Sequence, residues 1–445
     1  MNYLYIGLLI VPLIVLLHRR FEYGLFFSGF LLVALTTYLS IKTPGNLPNL
    51  TIHRLILICL VAVWLIEKRK RGFILERKTL IAPLAAVAIV NFISMALSID
   101  VMFSFKTYLS FTLEMFLFFV VMSAGLKQAE TGLTLVKFMY AGLLLAAVIG
   151  IIEKKTGFNP VDAFLPGYVR RDIMVMDVLS TFPHRILFGT GMAMAIPLAL
   201  GLSSIESAPW KRNLYLVSLP LVILACYFSD SRGPWAAAAV AVGSMLLFGS
   251  VAMKRKIVLC LVAGICALGL KAGVRDTLNA KLQETRDKDS FKGQTYQYRW
   301  DLWRVAFNGI KRSLKTMAVG TGVGTGEIKV YTAVLAGSNE VIMVESWDNE
   351  FAATLLETGF LGLAMVLVLH FRIIVNLIRA WTVAAPDNRN LLAGIVGAIL
   401  AQIFMMTNVK MFSAQVNYLM WALVASGLAI GFGARTPAAA VSVRR

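Results

Sequence analysis

The sequence predicts an all-α polytopic membrane protein, and two observations carry this prediction. Of its 445 residues, 58% are apolar and only 15% are charged, whereas about a quarter of the residues of a soluble domain are charged. Apolar runs of roughly 17–22 residues recur along the chain, and each is long enough to cross a hydrocarbon core of about 30 Å as a helix. A soluble fold of this composition would lack the polar surface to cover so many buried helices, so we set it aside.

The apolar runs predict about thirteen transmembrane helices, within a range of about twelve to fourteen. The first run has no basic segment before it and no small-residue cleavage site after it. We therefore expect it to be retained as a membrane helix and not removed as a signal peptide. The predicted spans are residues 3–17, 22–40, 53–66, 79–97, 108–124, 134–152, 186–205, 214–229, 235–252, 256–271, 350–370, 391–409 and 414–432.

A basic loop predicts the orientation of these helices. Residues 67–78 carry six cationic side chains between two apolar runs, and short loops of this kind stay on the cytoplasmic side. Counting crossings outward from this loop places the other basic loops, such as 211–212 and 254–256, on the same side. We therefore interpret the net charge of +19 as a topology signal with affinity for anionic lipid headgroups, not as a nucleic-acid-binding surface.

This orientation divides the chain into four parts. Residues 1–271 hold the first ten helices with short loops, and residues 349–434 hold the last three. Residues 272–348 lie between them as a long outer-face segment, where we expect a helical periplasmic subdomain. Residues 435–445 are expected to be a disordered cytoplasmic tail, and the N-terminus is placed outside. The four cysteines lie in apolar runs without paired spacing, so neither a disulfide nor a metal site is predicted.

Cationic candidates for chemistry stand at the predicted outer ends of two spans. Arg232 follows Ser229-Asp-Ser in a tight turn before Pro234. Its planar guanidinium could bind a phosphate through two hydrogen bonds, or it could lie at the membrane interface with its head in water. His184 and Arg185 begin another span on the same face and are further candidates for substrate binding.

Residues 296–314 predict an amphipathic helix with an aromatic stripe. Arg299 and Arg304 flank the stripe, which we expect to lie on the membrane surface, and Asp301 is expected to point away from it. The two arginines could touch lipid headgroups or bind a lipid-linked diphosphate. The stripe consists of Tyr296, Trp300, Trp303, Phe307, Ile310 and Leu314.

A glycine-rich segment, Gly320–Gly326, resembles a nucleotide-binding loop only superficially. It fits no G-x-G-x-x-G register and is followed by no Lys-Ser/Thr pair. We interpret it as a flexible turn whose backbone amides could help to shape a site.

Polar residues also precede the span that begins near residue 350. Asp348 or Asn349 suits the N-cap of that helix. A carboxylate at this position could instead serve as a general base, because partial desolvation raises its pKa toward a useful range. Glu345 is the second carboxylate candidate at this end.

Taken in this order, the segments resemble the bacterial O-antigen ligase and O-antigen polymerase family of membrane glycosyltransferases. The resemblance covers residues 180–370, and its last segment is the most specific. The matching segments are Pro183–Gly191, Asp230–Gly233, the helix with Arg299 and Trp303, Gly320–Gly326, and Asp348–Gly362.

The resemblance implies a GT-C-like inverting glycosyltransferase of the bacterial inner membrane, with its active site facing the periplasm. It implies transfer of glycan from an undecaprenyl-diphosphate carrier without a metal or other cofactor. Arg232 and Arg299 match the arginines implicated in binding the diphosphate, and Asp348 matches the position where ligases carry a histidine implicated in activating the acceptor. The pair of Asp348 and Asn349 is more similar to polymerases of O-antigen or exopolysaccharide. The implied partners are the lipid-linked glycan, membrane lipid, and a chain-length regulator or another polysaccharide assembly protein.

Two alternatives stay open. One is an O-antigen ligase that transfers polysaccharide to lipid A-core. The other is a transporter or flippase of lipid-linked oligosaccharide, which would need polar or charged residues near the middle of the bilayer and would often show internal repeats. The sequence shows no internal repeat, and the predicted spans contain almost no such residues, with Asn91 and Gln402 as the clearest cases. We therefore expect chemistry at one membrane surface.

Overall fold

The computed structural model describes most of the chain, and 81% of it is helical. The described residues are 2–43, 47–71, 78–161, 178–270, 291–328, 330–334, 341–344, 346–411 and 415–433, with the single residues 279, 283 and 287. The predicted cytoplasmic tail, the middle of the basic 67–78 loop and Glu345 therefore lie outside the described residues.

The first part of the chain is a series of apolar helices with short connections. A small antiparallel pair, β1 (Ser40–Ile41) and β2 (Leu50–Thr51), lies between the second and third helices. The helices are α1 (Asn2–Arg19), α2 (Phe21–Ala34), α3 (Ile52–Arg71), α4 (Ile81–Ala96), α5 (Val101–Gly125), α6 (Ala129–Thr156), α7 (Arg185–Ile205), α8 (Pro209–Phe228), α9 (Arg232–Phe248) and α10 (Val251–Leu270).

The second part begins with a region of shorter elements and ends in three helices. The strands β3 and β4 pair in antiparallel register, with Ala333 opposite Ile342. The elements are α11 (Phe291–Ile310), α12 (Leu314–Val319), β3 (Thr332–Val334), β4 (Val341–Met343), α13 (Glu350–Val383), α14 (Pro386–Met406) and α15 (Gln415–Phe432).

The all-α membrane class predicted from the sequence is confirmed. Each of the thirteen predicted spans overlaps a helix, although α2 ends at Ala34, within the predicted span 22–40. Seven described helices are long and apolar enough to cross a membrane: α5, α6, α7, α8, α13, α14 and α15. Four shorter apolar helices, α1, α2, α4 and α9, add to them. The count of thirteen crossings and the GT-C-like arrangement stay predictions.

The ends of α6 show how local sequence sets the helix boundaries. Gln128 and Thr131 form a reciprocal capping box at its start. Gly157 follows its last residue with a φ of 72°, a left-handed conformation that glycine adopts without a steric penalty. The helix between them is apolar and long enough to cross the membrane.

Helix α7 lies at the centre of the bundle and packs against α8, α9 and α14. Nearly all of its residues from Leu187 to Ser203 are buried. Small residues allow this close packing, since a Cβ atom on Gly201 would lie 2.8 Å from the Cα of Leu391 in α14. Small residues at helix contacts are typical of membrane bundles, where backbones approach closely.

A second, smaller core covers the first turns of α13. It joins α11, the β3–β4 hairpin and α13 through buried apolar side chains. The predicted amphipathic helix is confirmed as α11, but its buried face is Leu302, Ala306 and Ile310, while Trp300 is 60% exposed. Asp301 is buried and forms an ion pair with Arg304 at 2.9 Å. Of the aromatic residues, Trp303 also packs against this core, and Phe307 contacts Phe360 of α13 with ring centroids 6.3 Å apart.

The glycine-rich segment is held against a break in α13. Gly359 interrupts the helix with a φ of 64°, which frees carbonyl groups one turn earlier. The Thr321 amide donates to the Leu356 carbonyl at 2.9 Å, and the Gly322 amide donates to the Glu357 carbonyl at 3.0 Å. A Cβ atom on Gly320 would lie 2.3 Å from the Glu357 carbonyl. The prediction of a flexible turn was therefore wrong, because these amides satisfy backbone acceptors of the broken helix.

Candidate functional site

Asn349, and not Asp348, caps helix α13. The Asn349 Oδ1 accepts a hydrogen bond from the Ala352 amide at 3.0 Å, and its Nδ2 donates to the Thr407 carbonyl at 3.2 Å. Both polar ends of this buried side chain are therefore engaged by the fold. The neighbouring Asp348 accepts a hydrogen bond from the Ser346 hydroxyl at 3.3 Å. Its carboxylate is thus left for a role other than capping.

Asp348 lies within electrostatic range of two predicted site residues, Arg299 and His184. Burial raises the pKa of the Asp348 carboxyl above its ordinary value, and Arg299, the Ser346 hydroxyl and His184 oppose this rise. Burial likewise lowers the pKa of Arg299, and Asp348 opposes that change. The three side chains come from α7, α11 and the start of α13, which are far apart in sequence.

The small core over α13 holds Arg299 at this position. The hydroxyl of Tyr298 donates to the Ser346 carbonyl at 3.1 Å, which joins α11 to the segment that carries Asp348. The Nε of Arg299 is buried, and no hydrogen-bond acceptor reaches it from the described parts of the chain. A buried guanidinium donor without an acceptor is costly in a folded protein. An anionic ligand would satisfy it.

His184 is the N-cap of α7. Its Nδ1 accepts a hydrogen bond from the Ile186 amide at 3.2 Å, so the neutral ring carries its proton on Nε2. The ring is exposed, and in its protonated form it opposes the rise in the pKa of Asp348. His184 can therefore present an N–H group to the space around the carboxylate.

Arg232 begins α9 at the same end of the bundle. Asp230, two residues before Arg232, has a φ of 47°, which is uncommon for a residue other than glycine. A Cβ atom on Gly233 would lie 3.8 Å from Cγ of Asn408, and the adjacent Thr407 carbonyl accepts the hydrogen bond from Asn349. The Arg232 turn and the cap of α13 therefore adjoin the same segment after α14.

The other predicted candidates are placed differently. Arg185 is the first residue of α7, beside His184, and is half-buried. The side chain of Arg304 is 79% exposed and binds Asp301 at 2.9 Å, one turn along α11 from Arg299. Nothing in the described contacts joins Arg304 to Asp348. Glu345 lies outside the described residues.

A buried charge cluster that the sequence analysis did not predict lies close to this site. Lys410 Nζ is 2.8 Å from Glu357 Oε1 and 3.1 Å from Glu327 Oε1. Burial alone would lower the pKa of Lys410, but Glu357, Glu327 and Glu350 together raise it above its ordinary value. The backbone of Lys410 donates to the Trp347 carbonyl at 3.1 Å. This cluster therefore fixes the segment directly before Asp348.

A second buried ion pair lies deeper among the helices. Arg54 Nη2 is 2.5 Å from Glu114 Oε1, and Glu114 stands in the π-helical stretch Thr112–Leu117 of α5. π-helical segments are often found at functional sites. Glu114, Glu350 and Glu357 lie inside predicted spans, so the expectation of almost no charged residues there was wrong. Their signal in the sequence was one carboxylate within the predicted span 108–124 and two within the predicted span 350–370.

The two buried ion pairs border one cavity of about 310 Å³. Within the described ranges, no group of three or more His, Cys, Asp or Glu side chains is arranged to hold a metal ion. The cavity walls are Arg54, Asn91, Phe103, Lys106, Thr107, Ser110, Glu114, Val323, Glu327, Glu350, Thr354, Glu357, Thr358, Val366 and Lys410.

Comparison with known families identifies the segment that carries this site. Residues 217–367 match the family model described as O-Antigen ligase. This match supports the O-antigen ligase and polymerase family for the segment. The family segment contains the Arg232 turn, Arg299, the glycine-rich segment, Asp348 and the break at Gly359. The resemblance drawn from the sequence is confirmed, and the matched family implies ligase-type or polymerase-type activity. A search of curated proteins found no match to the chain.

Proposed function

We propose that this protein transfers glycan from an undecaprenyl-diphosphate carrier to a sugar hydroxyl, at the periplasmic face of the bacterial inner membrane. We further propose that it polymerises lipid-linked repeat units of O-antigen or exopolysaccharide. The observation that carries the proposal is the pairing of Asp348 with Arg299. A carboxylate with a raised pKa lies beside a cation whose buried Nε has no acceptor within the described chain.

The reaction is a single displacement at the anomeric carbon of the donor glycan. The acceptor hydroxyl oxygen forms a bond to that carbon while the bond from the carbon to the diphosphate oxygen breaks. The hydroxyl proton passes to the Asp348 carboxylate, and the bonding electron pair leaves with the undecaprenyl diphosphate. Because attack and departure occur on opposite faces, the anomeric configuration inverts.

Arginines suit the charge that develops in this reaction. The leaving diphosphate gains negative charge as the bond breaks, and fixed cations in a partly desolvated site stabilise that charge strongly. Arg299 and Arg232 supply planar, multidentate donors to phosphate oxygens. His184 Nε2–H stands near Asp348 to orient the acceptor, and Asn349 positions Asp348 by capping α13.

A lysine replacement series tests the diphosphate contact. Arg299→Lys and Arg232→Lys keep the charge but lose the planar fork, so we expect transition-state stabilisation to fall by about 2–5 kcal/mol in each. Arg304→Lys is the matched control, because Arg304 lies on the same helix but is exposed and bonded to Asp301. The readout is polymer formed in membranes with equal amounts of each protein. Normal polymer from both site variants would refute the diphosphate contact.

A polymerase and a ligase differ in the carrier-linked glycan that accumulates when the enzyme is inactive. The pair of Asp348 and Asn349 favours the polymerase, so we expect single repeat units on the carrier to accumulate. A ligase that acts on lipid A-core would instead leave long chains on the carrier. Extraction and sizing of carrier-linked glycan from cells with an inactive variant separates the two.

A flippase is the second candidate function, because Glu114 and Glu357 lie inside apolar helices and line a cavity. Both carboxylates are paired with cations, however, at 2.5 and 2.8 Å. Fixed, neutralised pairs suit a static pocket better than a translocation path. Loss of a flippase would leave the lipid-linked glycan on the cytoplasmic face, whereas loss of the proposed transferase leaves it on the periplasmic face.

The orientation can be measured with single cysteines in a cysteine-free background. We expect Ser346→Cys, beside Asp348, to react with an impermeant thiol reagent added to the periplasmic face. Lys211→Cys, at the exposed start of α8, should be protected. The opposite pattern would place the site in the cytoplasm.

A further inference from the structure

The cavity lies apart from Asp348 and its partners. Glu350 and Thr354 on the first turns of α13 line it, whereas Asp348, Arg299 and Arg232 do not. Glu327 on its wall has a half-exposed side chain, and Glu357 and Glu114 are buried. The cavity therefore runs from an exposed mouth at Glu327 to a buried floor at Glu357 and Glu114.

Asn91 is a buried polar side chain on the cavity wall. It stands in the apolar helix α4, is 7% exposed and lines the cavity. Within the described residues, its amide makes no hydrogen bond to protein. A polar group in a membrane helix is destabilising and is usually retained for a function. The amide of Asn91 can both donate and accept, so it suits a ligand that carries hydroxyl groups.

The cavity wall carries four carboxylates, Glu114, Glu327, Glu350 and Glu357, and three cations, Arg54, Lys106 and Lys410, so its formal charges are close to balanced. Arg54 is paired with Glu114, and Lys410 is paired with Glu327 and Glu357. The hydroxyls of Thr107, Ser110 and Thr354 add neutral polar groups to the wall. Such a wall offers many hydrogen-bonding groups without a strong net field. It favours an uncharged polyhydroxyl ligand over a phosphate or a free cation.

Two further features indicate a built site. Glu114 stands in a π-helical segment of α5, an irregularity that is frequent at functional sites. The cavity volume of about 310 Å³ lies at the lower end of the range of ligand pockets, about 300–1,000 Å³. A cavity of this volume can hold one sugar residue but not a long glycan chain.

We propose that this cavity binds a sugar residue of the acceptor glycan. The proposal rests on the proposed function, in which the donor glycan is linked to the diphosphate and lies on the Asp348 side of α13. A second glycan must then reach the same carboxylate from another direction. The cavity is lined by the turns of α13 that follow Asp348, so a sugar bound there would lie next to the base.

A protection experiment on the full-length protein in nanodiscs tests this proposal. The reporter is Ser110→Cys on the cavity wall, in a cysteine-free background, reacting with a small charged thiol reagent. The first probe is glycan released by mild acid from the lipid carrier of the source cells, and the second is undecaprenyl diphosphate without sugar. We expect the released glycan, but not the bare carrier, to slow labelling of Ser110→Cys.

Asn91→Leu and Gln402→Leu form a matched pair for the same assay. Gln402 is a buried amide in α14 that does not line the cavity. Loss of one ligand hydrogen bond should raise the glycan concentration needed for half-protection roughly threefold to tenfold in Asn91→Leu. Gln402→Leu should leave it unchanged. Equal weakening by both variants, or labelling that released glycan does not slow, would overturn the proposal, as would protection by the bare carrier.

A second reporter separates this proposal from the proposed function. Ser346→Cys stands beside Asp348, where bare undecaprenyl diphosphate should slow labelling. If the carrier protects Ser346→Cys and glycan fails to protect Ser110→Cys, the cavity proposal fails alone. If glycan protects Ser110→Cys but the carrier never protects Ser346→Cys, the diphosphate site fails and the cavity stands as a sugar site of unassigned role.

Discussion

The two sides of the α13 N-terminus differ in how completely their charged groups are paired with other protein groups. On the cavity side, Lys410 is bound by two carboxylates at 2.8 and 3.1 Å. On the other side, Asp348 interacts with Arg299 only through longer-range electrostatics, and the Arg299 Nε has no acceptor in the described chain. The first arrangement is closed by protein groups, and the second is left open.

This difference separates structural charge from charge available to a substrate. A buried ion pair with complete hydrogen bonding holds elements together, and removal of one partner leaves an uncompensated charge. A buried cation with a missing acceptor weakens the fold, and such groups gather at functional sites. We therefore expect substitutions at Lys410 to act on stability and substitutions at Arg299 to act on turnover.

The largest effect is expected for Lys410→Met. It leaves the buried Glu357 without its cation and removes the partner of the half-exposed Glu327, which should lower the free energy of unfolding by about 3–5 kcal/mol. Lys410→Arg keeps the charge and should unfold close to the parent protein. Thermal unfolding in one detergent measures both variants. Equal stability of Lys410→Met and the parent would break the comparison, because Lys410 would then contribute no structural charge.

A smaller loss is expected for Gly359→Ala, which tests the break in α13 that both sides share. Alanine at a φ of 64° is strained, and its Cβ would lie 2.5 Å from the Ala318 carbonyl. We expect a destabilisation of about 1–3 kcal/mol. Gly243→Ala, in open space on α9, is the matched control and should be neutral or slightly stabilising. Similar stability of both variants would show that the break is not needed.

Asn349→Ala should lower stability by about 1 kcal/mol, since it removes the cap of α13. Asn349→Asp keeps the capping oxygen and should lose less. Chemical denaturation followed by circular dichroism measures both. If the aspartate variant were as unstable as the alanine variant, the hydrogen bond to the Thr407 carbonyl, and not the cap, would be the larger contribution.

The smallest effect concerns pH. The Asp348 base acts when ionised, and its pKa is raised, so activity should fall as the pH drops through a value above the ordinary 3.8. The Ser346 hydroxyl holds that pKa down. Ser346→Ala should therefore move the acid limb of the pH–rate profile to higher pH without changing the rate on the plateau. An unmoved limb would mean that another group titrates.

Much of the fold was predictable because membrane helices are determined by local composition. The apolar runs predicted the membrane helices, and the order of the polar motifs indicated Arg299 and Asp348. The partners of the buried charges were not predictable in this way. Lys410 stands in a loop, and Glu327 and Glu357 are far from it in sequence, so only packing brings them together. The choice of cap between Asp348 and Asn349 likewise depended on the Thr407 carbonyl, which no local pattern identifies.

The most direct measurement is the activity and stability of Asp348→Asn. Asparagine preserves the shape of the side chain, and the cap of α13 belongs to Asn349, so folding should be unaffected. Because burial raises the pKa of Asp348, the folded protein favours the protonated carboxyl and loses that preference as pH rises through this pKa. The variant should therefore be at least as stable as the parent at neutral pH. Polymer formation should fall about 10²–10⁴-fold, with lipid-linked repeat units accumulating. A stable Asp348→Asn protein that polymerises normally would contradict the assignment of the base.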